Sequence, residues 1–348
     1  MKGNEALAEA AIQAGCRHFF GYPITPQTEL AAYMSKKMPK IGGTYLQAES
    51  EVAAINMVLG AASAGVRAMT SSSSPGISLK SEGISYMAGS DVPALIINVQ
   101  RGGPGLGGIQ PSQADYWQAT KATGHGDFQI LVFAPSTVQE MVDLVSDAFD
   151  MGDKYRMPAM ILADGMLGQM MEPVVLPENS GKELPEKPWA LTGHNNERPH
   201  NVVNSLYLKP QDLEALVKER FERYETIKQN EQRAEEYLVD DADIVVVAYG
   251  ASSRVSRSAV NQAREMGLKV GLVRPITLWP FPTDAIKRAA GTAKEILVVE
   301  MSMGQMVDDV RLAVNGAKPV SFYGRTGGMI PTPGDVLSEI KKLAGGAE

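Results

Sequence analysis

Four short stretches of this 348-residue chain hold residue types that could do chemistry. In Tyr22-Pro23-Ile24-Thr25-Pro26 one hydroxyl stands between two prolines. Each ring fixes φ and removes a backbone donor, so Thr25 is confined to a turn with few conformations. In Gln47-Ala48-Glu49-Ser50-Glu51 two carboxylates precede a helix-like run of small residues. Glu51, like Glu49, has a plain explanation there: it offsets a helix dipole and caps free N–H groups. Its chemical alternative is a carboxyl whose pKa burial raises until it can share a proton. Thr70-Ser71-Ser72-Ser73-Ser74-Pro75-Gly76 sets a run of hydroxyls before a Pro-Gly turn. Arg101 stands at the base of a glycine-rich run ending at Gly108. Its planar fork suits a carboxylate bidentately, a surface or ion-paired arginine being the plainer reading.

Gly103, Gly105 and Gly108 formally satisfy G-x-G-x-x-G. A dinucleotide fingerprint must open a helix, however, and here Ile109-Gln110-Pro111-Ser112-Gln113 comes next. The nearest acid, Asp127, precedes a strand rather than ending one. A nicotinamide dehydrogenase is therefore a distant reading, and a loop that lets the backbone pass close to something is the better one.

The elements that must position these residues are legible in the hydrophobic period. GNEALAEAAIQAG reads as a helix closed by Gly15, and the runs HFFGY, TYLQ, RAMTSS, PALIINVQ, QILVF and MPAMILA read as strands. Helix-like segments alternate with them, which predicts a parallel sheet wrapped by helices over residues 1–175. All four chemical stretches then fall where a strand hands over to the next segment of chain, the usual place for a site in an open α/β sheet.

Residues 176–239 break the pattern. A stretch rich in proline, asparagine and charge reads as a linker, and residues 209–238 read as an amphipathic helix with Leu213, Leu216, Val217, Phe221, Tyr224 and Ile227 on one face. From 240 to 348 the α/β alternation resumes in DIVVVAYG, KVGLVRPI, EILVVE and PVSFYG, predicting a second, smaller doubly wound domain. Ser252, Ser253 and Arg254 are expected to cap the helix after the first of these strands.

Composition narrows the function. A net charge of −7 argues against a nucleic-acid surface, and no run of about 18 apolar residues or signal-like N-terminus is present, so a cytoplasmic protein is expected. The single cysteine, Cys16, cannot hold an iron–sulfur cluster, which needs about four thiolates. If the protein handles electrons, another chain must carry them. The four histidines show no metal-ligand spacing, and the eighteen methionines read as core filler.

In combination, a glutamate opening a helix, Gly60 and Gly65 further along it, and a strand ending in TSSSSPG resemble the pyrimidine-binding domain of thiamine-diphosphate enzymes. Together with YPITP, ESE and QRGGPG, nearly the whole chain resembles the α subunit of the 2-oxoacid:ferredoxin oxidoreductases. The fold implied is a doubly wound parallel-sheet α/β pyrimidine-binding domain plus a transketolase C-terminal-like α/β domain. The resemblance implies that Glu51 is the catalytic glutamate at N1′ of the aminopyrimidine, that Thr25 and Arg101 bind the 2-oxoacid, and that Pro23, Ile24, Ser74 and Gly76 border the cofactor. The chain departs from the more frequent family pattern at Gln27 and Thr28, at Ser50, and at Ser72-Ser73-Ser74.

The resemblance also implies partners. The magnesium and diphosphate site belongs to a β subunit, the iron–sulfur clusters to β and a small ferredoxin-like δ subunit, and a γ subunit, coenzyme A and ferredoxin complete the reaction, with no nucleic acid or membrane. The wording MKGNEALAEAA, QAESEVAAINMVLGAASAG and MILADGMLGQMMEPV looks most like the branched-chain, 2-oxoisovalerate branch, with 2-oxoglutarate or pyruvate as alternatives. A non-catalytic α/β scaffold is the alternative from another class, and it has no need of Thr25, Glu51 and Arg101 together.

Overall fold

A computed structural model describes residues 1–121, 123–177 and 184–345. Its first sheet contains six parallel strands, β1 (His18–Gly21), β2 (Thr44–Gln47), β3 (Ala68–Ser72), β4 (Leu95–Gln100), β5 (Leu131–Phe133) and β6 (Ala159–Asp164). Strands β3, β4 and β6 are buried along their whole length, as their mostly apolar and small residues suit when helices cover both faces. The second sheet holds β7 (Ala234–Tyr237), β8 (Ile244–Val247), β9 (Val270–Pro275), β11 (Glu295–Glu300) and β12 (Val320–Gly324). Between β9 and β11 lies β10 (Thr277–Trp279), which leaves that sheet and runs antiparallel to β5.

The strand order of the first sheet is β10-β5-β6-β4-β3-β1-β2, and of the second β12-β11-β8-β9-β7. The chain thus returns from the second α/β unit to close an edge of the first. One core runs through both, from Leu7, Phe19 and Ile97 to Tyr249, Val273 and Ile286.

For the site the decisive fact is that β4, β3, β1 and β2 are consecutive neighbours. Their carboxyl ends carry Arg101, the Ser73–Gly76 turn, the YPITP loop and, at the start of the helix Glu51–Ser63, Glu51. Four stretches spread over about a hundred residues of sequence come to one edge.

Two expectations are corrected. The long helix Pro210–Asn230 stops before Leu238, and Ala234–Tyr237 is the edge strand β7, paired antiparallel with β9. Charged Ala-Glu-Glu-Tyr has no strand period of its own, and the non-local pairing decides it, with Arg274 donating to Glu235 at 2.8 Å. On that helix Tyr224 and Ile227 are buried while Leu213 and Phe221 remain exposed.

Ser252, Ser253 and Arg254 lie inside the first turn of the helix Gly250–Glu265, whose N-cap is Tyr249 without a side-chain cap. Ser252 and Arg254 join the two α/β units instead. The Ser252 hydroxyl donates to Gln113 Oε1 at 2.6 Å, and Arg254 donates to the Ser136 carbonyl at 3.1 Å and pairs with Glu172. Gln113 is the centre of this junction. Its side chain donates to the Tyr249 carbonyl and accepts from the Met301 N–H, and its own N–H donates to the Met301 carbonyl.

Candidate functional site

Glu51 is the first residue of its helix, yet it does not cap it. The N-cap is Ser50, whose hydroxyl accepts the Ala53 N–H at 3.2 Å. With the free helix donors served by a neighbour, the Glu51 carboxylate is available, and the residue is 6 % exposed while Glu49 is open to solvent. Among the described residues no side chain hydrogen-bonds that carboxylate. It lies over Gly76, where an added Cβ would stand 2.8 Å from Glu51 Oε1 and 2.1 Å from Ser72 Oγ. Glycine is required there by space.

Beneath Glu51 lies Lys80, fully buried on the helix Pro75–Gly89, with its ammonium 3.5 Å from the Glu51 carbonyl. Burial pushes the Lys80 pKa down to about 8, and the Glu51 charge opposes that shift.

The YPITP loop is anchored from below and open above. Asn4 donates to the Pro26 carbonyl at 2.7 Å, and the Gln27 N–H donates to the Ile24 carbonyl at 3.2 Å. Gln27 is fully buried; it donates to the Tyr22 carbonyl and accepts the Ser71 hydroxyl at 2.7 Å, tying the loop to β3. Pro23 and Thr25 are exposed, Ile24 is half-buried, and nothing among the described residues hydrogen-bonds the Thr25 hydroxyl.

Arg101 is 8 % exposed and reaches both ways. Nη1 donates to the Thr25 carbonyl at 3.0 Å and Nη2 to the Leu106 carbonyl at 3.1 Å. The glycine run after it folds back on itself, with Gly102 N–H donating to Gln110 O and Gly108 N–H to Gly102 O, each at 2.9 Å. Gly107 has φ +59°, and a Cβ there would fall 1.9 Å from the Gly102 carbonyl, so the close backbone approach expected of this run is an approach to itself.

The fold therefore joins Arg101 directly to Thr25, and Gly76 directly to Glu51. The link between these two halves is Ser74, whose Oγ accepts the Arg101 N–H at 3.0 Å and donates to Asp115 Oδ2 at 2.6 Å. Four buried polar atoms nearby have no partner among the described residues: Thr70 Oγ1, Ser72 Oγ, Ser73 Oγ and Arg101 Nε. Orphaned buried groups are costly, and the adjacent pair Ser72 and Ser73 at the carboxyl end of β3 marks a place built to meet something else.

Sequence reasoning missed Asn98 and Asp115 as parts of this edge, and it named Gln27 only as a departure from the family pattern and Lys80 only as a basic group it could not place. The one signal open to it was a polar residue set inside an apolar strand or helix face, as Asn98 is within Leu-Ile-Ile-Asn-Val-Gln of β4. Asp164, at the end of β6, caps the helix Gly165–Gln169 through the Met166 and Leu167 N–H groups, and burial raises its pKa to about 6.

The chain is similar to known proteins over nearly its whole length. Residues 9–240 match the family model for the pyruvate flavodoxin/ferredoxin oxidoreductase thiamine-diphosphate-binding domain, and residues 242–336 that for pyruvate:ferredoxin oxidoreductase core domain II. The chain is 51 % identical over 345 residues to the ketoisovalerate oxidoreductase subunit VorB of Methanothermobacter thermautotrophicus, covering 99 % of this chain and 97 % of the relative. It is 36 % identical to the 2-oxoglutarate synthase subunit KorA of Methanothermobacter marburgensis, covering 98 % and 97 %.

Among solved structures, the 2-oxoglutarate:ferredoxin oxidoreductase of Magnetococcus marinus, with 2-oxoglutarate, coenzyme A and succinyl-CoA bound, matches with a TM-score of 0.86 at 30 % identity. The match covers 98 % of this chain and 64 % of that one, so the present chain spans less than two thirds of its length. A split-gene transketolase in an inactive β4 tetramer shares the fold at a TM-score of 0.64 and 14 % identity.

Proposed function

This chain belongs to the 2-oxoacid:ferredoxin oxidoreductase family, and from that premise we propose that it is the subunit that activates thiamine diphosphate for the oxidative decarboxylation of 2-oxoisovalerate to an acyl-coenzyme A and carbon dioxide, with electrons leaving to ferredoxin. The observation that carries the reading is the Glu51 carboxylate, relieved of helix capping by Ser50, buried, and laid against Gly76.

The residues present fit the cofactor. The orphaned hydroxyls of Ser72 and Ser73, and a Glu51 carboxylate that no described side chain engages, suit a polar heterocycle brought against Glu51, with Pro23, Ile24 and Ser74 bordering it. When bound, thiamine diphosphate supplies a nucleophilic carbon and an electron sink. Glu51 holds and returns a proton on its carboxylate oxygen. Thr25 offers its hydroxyl to the 2-oxoacid, and Arg101, already fixed to the Thr25 carbonyl, presents its remaining donors to the carboxylate. Their contribution is orientation, because gripping the carboxylate equally in ground and transition states would not raise the rate.

The 2-oxoisovalerate assignment is supported by the 51 % identity to VorB and by the cleft that Thr25 borders. That cleft, about 570 Å³, is lined by Pro26, Ile109, Met166, Met170 and Ile330 among others; neither Arg101 nor Glu51 lines it, so it would take the substrate's side chain rather than its carboxylate. An aliphatic side chain suits it better than the second carboxylate of 2-oxoglutarate. Of the three basic groups that could have met such a carboxylate, Arg67 is paired with Asp150 and Asp153 at the opposite end of β3, Lys121 is paired with Asp309, and Lys80 is fully buried beneath Glu51 and does not line the cleft.

A diphosphate- and magnesium-binding β subunit, γ and ferredoxin-like δ subunits carrying or serving the iron–sulfur clusters, and coenzyme A complete the proposed assembly. Exposed apolar side chains around the site, among them Val52, Met57, Leu79, Leu106 and Trp117, suit a partner surface that covers the cofactor. No helix among the described residues is long and apolar enough to cross a membrane, and a cytoplasmic complex is proposed. Titrating thiamine diphosphate into the chain reconstituted with its β subunit tests the reading, followed by turnover on 2-oxoisovalerate, 2-oxoglutarate and pyruvate. Absence of binding, or unchanged turnover in Glu51→Ala, overturns the enzyme; preference for 2-oxoglutarate or pyruvate overturns the substrate.

A further inference from the structure

We propose that Asp115 is a positioning residue that, through the Ser74 hydroxyl, holds Arg101 of the 2-oxoacid site and the Ser73–Gly76 turn of the thiamine-diphosphate site as one unit. The proposal rests on the functional reading above, and it concerns a residue outside the glutamate, threonine and arginine that reading uses.

Ser74 has φ +26° and ψ −83°, a backbone state that L residues other than glycine rarely adopt and that persists when surrounding contacts over-determine it. Here those contacts are visible. The Ser74 N–H donates to Asn98 Oδ1 at 3.2 Å, and Asn98 Nδ2 donates to Asp115 Oδ2 at 2.9 Å. The Ser74 hydroxyl donates to that same Oδ2 at 2.6 Å while accepting the Arg101 N–H at 3.0 Å. The Arg101 carbonyl lies 3.2 Å from the hydroxyl, but a hydroxyl has one proton, and the nearer, charged acceptor takes it.

Asp115 is itself held. Its N–H donates to Gln100 Oε1 at 3.1 Å, and Gln100 Nε2 donates to the Ala163 carbonyl, so the carboxylate is referenced to β4 and β6. It precedes the short helix Tyr116–Thr120 without capping it, its side chain turned to Ser74 instead. Burial pushes the Asp115 carboxyl upward, and the hydrogen bonds from Ser74 and Asn98 pull it back. The chain of contacts is thus Asp115 to Ser74 to Arg101 to Thr25 on one side, and Ser74 through Pro75 to Gly76 and Glu51 on the other. A single acceptor sets both halves of the pocket.

The test uses the chain reconstituted with its β subunit, measuring the Kd for thiamine diphosphate, KM and kcat for 2-oxoisovalerate, and the thermal midpoint. Asp115→Ala should weaken thiamine diphosphate and raise KM by about tenfold each, with kcat changed by less than about threefold, the size expected when a charge-assisted hydrogen bond is lost. Asp115→Asn should restore both constants to within about twofold, because a carboxamide oxygen can accept from Ser74 and Asn98 alike. Ser74→Ala should match Asp115→Ala, and the double variant should be no worse than either, since both cut one link.

Additive losses of about a hundredfold, an Asp115→Ala complex with unchanged Kd and KM, or an Asp115→Asn complex as impaired as Asp115→Ala would overturn the proposal. If Asp115→Ala does not assemble, Asp115→Glu replaces it, keeping the charge but moving the acceptor by one methylene; wild-type constants there overturn the proposal equally. A wild-type complex that binds no thiamine diphosphate overturns the functional reading and this inference together. A wild-type complex that binds it while the variants behave as wild type overturns the inference alone.

Discussion

Glu51 Oε1 lies 2.8 Å from where a Cβ on Gly76 would stand, so the carboxylate at the start of one helix and the bare backbone at the start of another meet at a spacing that only glycine permits. The helix Pro75–Gly89 can begin directly beneath Glu51 because its second residue has no side chain. Each residue is informative only with the other.

Gly76→Ala should therefore displace both Glu51 and Ser72, whose Oγ would be 2.1 Å from the new methyl. Overpacking of this kind costs about 1–3 kcal/mol. The expected outcome is a lowered thermal midpoint together with thiamine diphosphate affinity reduced by at least about tenfold, read by calorimetric titration of the reconstituted complex. Unchanged affinity would place the cofactor elsewhere.

Thr25→Ala separates substrate from cofactor. The hydroxyl is exposed, whereas the Thr25 carbonyl holds Arg101 and survives the substitution. KM for the 2-oxoacid should rise by about tenfold, a loss of about 1.4 kcal/mol, while thiamine diphosphate binding and the thermal midpoint stay within error. Equal damage to all three would make YPITP a structural turn.

Ser50→Ala removes the N-cap of the helix Glu51–Ser63 and should cost about 1 kcal/mol of stability. Its second effect is the sharper one. With the Ala53 N–H unserved, the neighbouring Glu51 carboxylate can turn to cap the helix, and activity should fall further than stability. Ser50→Asp, which caps as well as serine, should retain the stability; a parallel loss of both properties in Ser50→Ala would show that Ser50 acts through the helix alone.

Lys80 gives a dependence on pH. Its pKa falls from 10.5 to about 8 on folding, so the unfolded chain binds the extra proton between those values. Below pH 8 both states are protonated and the burial penalty is fully present; as pH rises from about 8 to 10.5 the penalty is relieved and this residue's contribution to stability improves. Lys80→Met, similar in length and uncharged, should raise the thermal midpoint at about pH 7, with a gain of up to about 3 kcal/mol that shrinks toward about pH 10. A gain that is constant across that range would mean that folding does not lower the Lys80 pKa.

Much of the fold was legible because buried parallel strands are rich in apolar residues, as β6, β8 and β11 are and as β4 is apart from Asn98 and Gln100. The edge strand β7 was not, since its Glu235 and Glu236 carry no strand pattern and are placed by pairing with β9 and by Arg274 and Arg257. The three-residue β10 was equally hidden, because a segment so short acquires its state from β5, more than a hundred residues away.

At the site, Thr25, Glu51 and Arg101 were legible only in combination: an acid opening a helix and an arginine beside glycines each have an ordinary explanation alone, and it is their company with YPITP and TSSSSPG that singles them out. The sequence left open whether Glu51 capped its helix or stood free of that duty, which of two glutamates was buried, and which groups Ser74 would meet. Those questions are settled by burial and by hydrogen-bond partners, several of them far apart along the chain, as Ser74 is from Asp115 and Arg101 from Thr25. Local pattern determines which groups a segment presents, because period and turn chemistry are short-range. Which group each one meets depends on the order of β4, β3, β1 and β2 in the sheet, and that order is decided by packing of the whole chain.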